Sequence, residues 1–287
     1  MKQLQCISSP ENERYKLAKA LTKGHGRKKY GLFIVETPVL VLDVLKGGWH
    51  IEWVALTPHF AETPKGMEII ELARERAIDV TLMKEKLMDE ISTVESGGSV
   101  IAVVKQRRQS LSDIQLKERD CVFVLEDVQD PTNVGAITRI ADAVGASAVI
   151  ATVGTADRYN PKVLRSSAGS ALHVAFVKVA SMGELHRWLE ENEFEVVATD
   201  PHNGECCYSH HFSERVAFLF GNEAKGLSES MRSIADLTLT IPMHGGAESL
   251  NVSHACAILA YELLRQWYYS HETADIKRRS DQPNGGE

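Results

Sequence analysis

Residues 121–145, CVFVLEDVQDPTNVGAITRIADAVG, pass from an apolar run through a polar turn into an amphipathic helix. "CVFVLE" has the short, continuous hydrophobicity of a buried strand. Asp130-Pro131 opens a turn, Thr132 or Asn133 can cap the helix that follows, and Gly145 can end it. A helix over about residues 134–144 buries Val134, Ile137, Ala141 and Val144. It places Arg139 on the opposite side, one turn beyond Gly135, whose missing side chain leaves room for a close neighbour. On this stretch alone Arg139 reads as a solvent-facing arginine.

The same alternation continues downstream. "SAVIAT", "VAFVKV", "EVVATD", "VAFLFG" and "LTLTIP" are short strand-like runs separated by helical stretches. The pattern predicts an α/β fold with a mostly parallel, doubly wound sheet. In such sheets ligands bind where loops leave the carboxyl ends of the strands. Three of the segments that follow strands are rich in polar residues and glycine: "DVQDPTNVGAITRIADAVG" (127–145), "GNEAKGLS" (221–228) and "MHGGAESLNVS" (243–253). Each also has a local explanation. Gly221 and Gly226 permit tight backbone geometry, and Ser249 or Asn251 can cap a helix whose stripe is Val252, Cys256, Leu259 and Leu263. That helix carries Leu264, Trp267 and Tyr268 outside the stripe, and so wide an apolar arc needs cover on two sides.

Upstream, residues 1–106 read as a small α/β unit. A basic helix at 11–22 precedes "LFIVE", a helix through "VLVLDVLKGG", "IEWVAL", a helix at 66–76, "DVTLM", a short helix at 84–91 and "SVIAVVK". Residues 107–120 are polar and charged, as a linker between domains would be. The second domain then covers 121–270. Residues 271–287 have no apolar period and read as a disordered tail.

A length of 287 residues suits two domains. With 44% hydrophobic and 25% charged residues the composition is that of a soluble globular protein. No apolar run approaches the roughly 20 residues that span a bilayer, and the N-terminus lacks a signal or transit pattern. The five cysteines make neither a disulfide framework nor a zinc motif, which fits a reducing cytoplasm. A net charge of −7 argues against a broadly basic surface, but phosphate recognition needs only a local patch. "KGHGRKKYG" supplies a candidate in Lys23, Arg27, Lys28 and Lys29, although on charge alone a solvated loop is the preferred reading. There is no G-x-G-x-x-G after a strand, no phosphate loop, no G-x-S-x-G and no H-E-x-x-H. These absences weaken dehydrogenase, NTPase, hydrolase and metalloprotease readings.

Taken together, "NVGAITR" (133–139), "LFGNEAKGLS" (219–228) and "IPMHGGAESLNVSHA" (241–255) resemble the three ordered motifs of SpoU-type (TrmH-type) RNA ribose methyltransferases of the SPOUT superfamily. The likeness spans roughly residues 121–268. The first part, with "ISSPENERYKLAKAL" and "GLFIVE", resembles the substrate-binding domain common in that family. Many relatives carry glycine after the glutamate of this strand, where this chain has Thr37 and Pro38.

The resemblance implies a C-terminal trefoil knot, an exception to the usual avoidance of knots. It also implies S-adenosylmethionine as cofactor, with Gly221, Ile241 and Leu250 at its site and Thr199, Asp200 and Met243 nearby. Asn133, Arg139, Glu223, Ser249 and Asn251 match the catalytic positions, and no metal is needed. Arg139 would act near the ribose 2′-hydroxyl and its phosphate; Asn133 would orient it or the ribose. Family members commonly pair as homodimers through the knotted domain. The implied activity is methyl transfer to a ribose 2′-hydroxyl of structured RNA, foremost 23S ribosomal RNA. A tRNA ribose methyltransferase and a non-catalytic RNA-binding SPOUT protein are the alternatives.

Overall fold

Val and Ile dominate the strands of the first unit, where both faces of the sheet are covered. In chain order its first elements are β1 (Cys6–Ile7), α1 (Glu13–Leu21), α2 (Gly24–Tyr30), β2 (Leu32–Glu36), α3 (Pro38–Lys46) and β3 (Ile51–Leu56). They are followed by α4 (Pro58–Ala61), α5 (Pro64–Glu75), β4 (Asp79–Met83), α6 (Glu85–Ile91) and β5 (Val100–Lys105). The strands lie in the order β1-β4-β3-β5-β2, with β5 antiparallel to both neighbours and the other pairs parallel. Tyr15, Ala18 and Leu21 of α1 meet Leu87, Met88 and Ile91 of α6 over Ile34, Ala55, Ile101 and Val103. Of this computed structural model, residues 4–93 and 97–280 are described, the last twelve by backbone alone.

The second sheet grows from the predicted apolar runs: β6 (Asp120–Leu125), β7 (Ala148–Ala151), β8 (Ala175–Lys178), β9 (Glu195–Thr199), β11 (Arg215–Phe220) and β12 (Leu237–Thr240). A two-residue strand, β10 (Glu205–Cys206), is too short for any periodicity to announce. The order is β10-β12-β9-β11-β6-β7-β8, and every pairing is parallel. Helices α7 (Pro131–Val144), α8 (Pro161–Ser166), α9 (Met182–Glu191), α10 (Glu229–Arg232) and α11 (Val252–Ser280) connect or follow these strands. Val122, Val124, Ile150, Val177, Leu185, Leu189 and Leu219 form the core on one side.

The chain packs as two units that are interleaved in sequence. Met1–Arg108 draws in Asp130–Arg139 and Ala156–His173; Gln109–Gln129, Ile140–Thr155 and Val174–Glu287 make up the other. The expected division placed a single break at 107–120. Periodicity identifies elements, but not which of them pack together.

Two local expectations are corrected. "KGHGRKKYG" is not a loop: it folds as α2, because Gly26 lets this helix close on the Ala20 carbonyl, where a Cβ would overlap. Residues 271–280, expected to be disordered, continue α11. They are rich in good helix formers, and extending a helix avoids the cost of nucleating one. Residues 281–287, from the same expected tail, lie outside the described residues.

The departure at Thr37 has a structural consequence. Thr37 takes φ 77°, a region that suits glycine and strains a β-branched residue. Its hydroxyl accepts a hydrogen bond from the Leu40 N–H at 3.5 Å, and Pro38 occupies the first turn of α3. The cap offsets part of the strain.

Candidate active site

Strands β12, β9 and β11 are parallel neighbours, so their carboxyl ends open on one edge of the sheet. Side chains tie these ends together. Thr199 Oγ1 donates to the Leu219 carbonyl at 2.9 Å, and Thr240 Oγ1 donates to the Asp200 carbonyl at 2.9 Å. Asp200 Oδ1 accepts the backbone N–H groups of His202 and Asn203, each at 2.9 Å. Its Oδ2 accepts from Arg232 Nη1 at 2.8 Å. Burial pushes this carboxyl up, but the two backbone donors and the guanidinium outweigh it and hold Asp200 below the usual aspartate range.

After β11 the chain doubles back at once. A Cβ on Gly221 would overlap the backbone of Gly226 and Leu227, so only glycine allows this return. Asn222 and Gly226 exchange backbone hydrogen bonds of 3.1 and 2.8 Å, with Gly226 at φ 68°. Asn222 Oδ1 accepts from Ala224 N and Lys225 N, and its Nδ2 donates to the Asp127 carbonyl at 2.9 Å. Glu223 accepts from Gln129 N at 3.4 Å. Beyond the turn, Glu126 accepts both the N–H and the hydroxyl of Ser228, which caps α10.

The loop after β12 is different. Among the described residues, 241–250 make no hydrogen bond to the rest of the chain, so their backbone donors and acceptors are open. Order returns at Asn251. Its Oδ1 accepts from Ser253 N at 2.8 Å, and its carbonyl accepts from Ala255 N at 3.0 Å. Of the two residues expected to cap this helix, the structure uses Asn251.

The three segments enclose a cavity of about 550 Å³. Thr199, Asp200, Gly221, Ile241, Met243 and Leu250 all line it, as do Glu223, Ser249 and Asn251. Buried Leu227, Leu239 and Leu259 provide its apolar wall. Glu223 and Glu248 add carboxylates, and Arg232 adds a guanidinium. Apolar surface for a purine, open backbone for ring nitrogens and ribose, acids for cationic groups and a cation for a carboxylate are what S-adenosylmethionine requires. The residues present fit that cofactor. Sequence reasoning missed Arg232, which carries no motif and reaches the site only because β9 and α10 converge.

Asn133 and Arg139 lie on α7, in the first packing unit, and neither is among the residues that line the cavity. Asn133 is buried and Arg139 is exposed, opposite the buried Val134, Ile137 and Ala141; Val144 is half-buried. Gly135 has the close neighbour its sequence position suggested. A Cβ there would overlap Ser166 Oγ and stand 2.8 Å from the Val163 carbonyl oxygen, both on α8.

The expected phosphate patch divides. Lys23, Lys28 and Lys29 are exposed on or beside α2. Arg27 is only 3% exposed and is corrected from a phosphate ligand to a structural residue. Its Nε pairs with Asp157 at 2.7 Å, and Nη1 donates to the carbonyls of Leu21 and Thr22. Once the segment is helical, α2 turns this side chain inward.

Comparison with known proteins places these features in context. Residues 120–261 match the SpoU rRNA Methylase family, and residues 12–102 match the MRM3-like substrate binding domain. The chain is 30% identical over 262 residues to a 23S rRNA uridine 2′-O-methyltransferase of Streptomyces viridochromogenes, covering 89% of this chain and 90% of that one. It is 31% identical over 260 residues to the 23S rRNA guanosine 2′-O-methyltransferase RlmP of Bacillus subtilis, covering 90% and 98%. An AdoMet-bound rRNA methyltransferase from Sinorhizobium meliloti superposes with a TM-score of 0.83 at 29% identity, covering 91% and 98%.

Proposed function

Because this chain belongs to the SpoU rRNA methylase family, we propose that it methylates a ribose 2′-hydroxyl of 23S ribosomal RNA with S-adenosylmethionine as donor. The observation that carries the reading is the cavity at the ends of β9, β11 and β12. It is lined by all six residues expected at the cofactor and is built from open backbone and a glycine-dependent turn. When bound there, S-adenosylmethionine supplies an electrophilic methyl group on a sulfonium. The protein's part is to hold the acceptor oxygen in line, which makes the transfer effectively unimolecular.

We assign Arg139 to the RNA side of the reaction. A free guanidinium stays protonated, so it serves poorly as a base. It serves well as a planar, forked donor that positions phosphate and stabilises developing charge. Asn133 orients Arg139 or the ribose, while Glu223 and Asn251 order the pocket. Ser249, which lines the cavity without a hydrogen bond among the described residues, is assigned to the bound ligand. We assign RNA capture to residues 1–106, with Lys23, Lys28 and Lys29 as phosphate contacts, and methyl transfer to residues 121–270. The trefoil knot, a homodimer formed through the second domain and residence in the cytoplasm complete the proposal. No helix of the described residues is long and apolar enough to cross a membrane, and the five cysteines are free.

The test is transfer of labelled methyl to purified ribosomal RNA and to tRNA, followed by mass-spectrometric mapping of ribose methylation. Cells with and without the gene are compared in parallel. A single 2′-O-methyl group in 23S RNA that disappears with the gene is the expected result. Label in tRNA alone would move the assignment to the tRNA enzyme. Cofactor binding with no transfer to either RNA would leave a non-catalytic RNA-binding protein.

A further inference from the structure

Arg232, the last residue of α10, is moored at two points. Its Nε donates to the Leu227 carbonyl at 3.3 Å and its Nη1 to Asp200 Oδ2 at 2.8 Å. Asp200 is also held by two backbone N–H groups, so the guanidinium is braced against a carboxylate that is itself fixed. Two anchors set the plane of a rigid fork. Its third nitrogen, Nη2, has no hydrogen-bond partner among the described residues, and it lies beside Gly226 in the cavity lining. An oriented guanidinium with N–H donors left over is the partner that a carboxylate fits best.

The rest of the lining agrees with this placement. Glu223 and Glu248 would repel a carboxylate and attract an ammonium or a sulfonium. Lys225 is the other full-time cation in the lining, but its ammonium forms no hydrogen bond among the described residues. Its flexible stem would have to be ordered on binding, a cost that Arg232 has already met through its anchors. Resting on the reading that this cavity binds S-adenosylmethionine, we propose that Arg232 receives the cofactor's methionine carboxylate and thereby sets which way round the cofactor lies.

Isothermal calorimetry on the full chain tests this with two ligands, S-adenosylmethionine and decarboxylated S-adenosylmethionine. The second keeps the sulfonium and the amine and lacks only the carboxylate. Arg232→Gln is expected to weaken binding of the first by about 10- to 100-fold, the range for losing a hydrogen bond to a charged group. Binding of the second should change by less than about threefold. Arg232→Lys, which keeps the charge and loses the fork, should fall between wild type and Arg232→Gln for the first ligand only. Lys225→Ala should leave both affinities near wild type. Melting temperatures monitor folding, and if Arg232→Gln is unfolded, the ligand-selective loss in Arg232→Lys decides. Equal loss for both ligands would make Arg232 a pocket brace and overturn the proposal. So would no loss for either, or a selective loss reproduced by Lys225→Ala. A wild-type chain that binds no S-adenosylmethionine would instead overturn the functional reading beneath it.

Discussion

Arg139 and Arg27 carry the same charge, yet one is exposed and the other buried. Arg139 is exposed and stands away from the buried stripe of α7. Arg139→Ala should therefore shift stability by no more than about 0.5 kcal/mol, as surface substitutions usually do. Methyl transfer should fall by about 10²–10³-fold, the usual loss when an electrostatic contact to the transition state is removed. Single-turnover transfer to 23S RNA, with a melting curve alongside, checks both parts, and Arg139→Lys should restore little activity. Near-normal transfer by the alanine variant would return Arg139 to a solvent-facing role. Arg27 reverses the pattern. Its side chain is 4% exposed, and deleting it strands two carbonyls and Asp157. Breaking a fully buried pair costs about 3–5 kcal/mol, but Asp157 is 41% exposed and can regain water. Arg27→Ala should thus lose roughly 2 kcal/mol in urea unfolding, against about 0.5 kcal/mol or less for Lys28→Ala. Equal, small losses would reinstate Arg27 as a surface cation.

Among the elements, the turn after β11 depends most on a single residue. Gly221 has backbone on the side where a Cβ would go, so the chain itself, rather than a flexible side chain, must move to admit one. Overpacking of this kind costs about 1–3 kcal/mol. The same turn places Asn222, Glu223 and Gly226 in the cavity wall, so the damage should reach the ligand. Gly221→Ala is expected to weaken S-adenosylmethionine binding about tenfold or more in calorimetry while lowering the melting temperature. Full affinity in a folded variant would show that the cavity tolerates an open turn. Helix α2 teaches a related lesson about elements. Dense charge suggested a loop, but the packing of Gly26 on Ala20 and the burial of Arg27 recover what Gly24 and Gly26 cost in helix propensity.

At the scale of the whole molecule, α11 leaves Tyr261 and Tyr268 exposed at 55% and 72% on the helix that follows the cavity loop. Large aromatics left open on a helix of this length suit a covered interface. Sedimentation equilibrium should give twice the 31.8 kDa of one chain at micromolar concentration, and Tyr261→Glu should shift the balance toward monomer. A wild-type monomer throughout that range would remove the homodimer from the proposal. Much of this architecture was legible in advance. The six predicted strand runs of the second sheet, the buried stripe of α7 and the three loops at strand ends follow from periodicity and turn chemistry, which act over a few residues. All six residues expected at the cofactor line one cavity, because each ends or follows one of three parallel strands whose carboxyl ends share an edge. Folding in three dimensions decided the rest. Arg27 is buried by an aspartate 130 residues away, Arg232 is moored by one 32 residues away, and two internal segments pack with the first unit. No local pattern encodes such pairings, since each depends on where distant backbone has already been placed by the sheets.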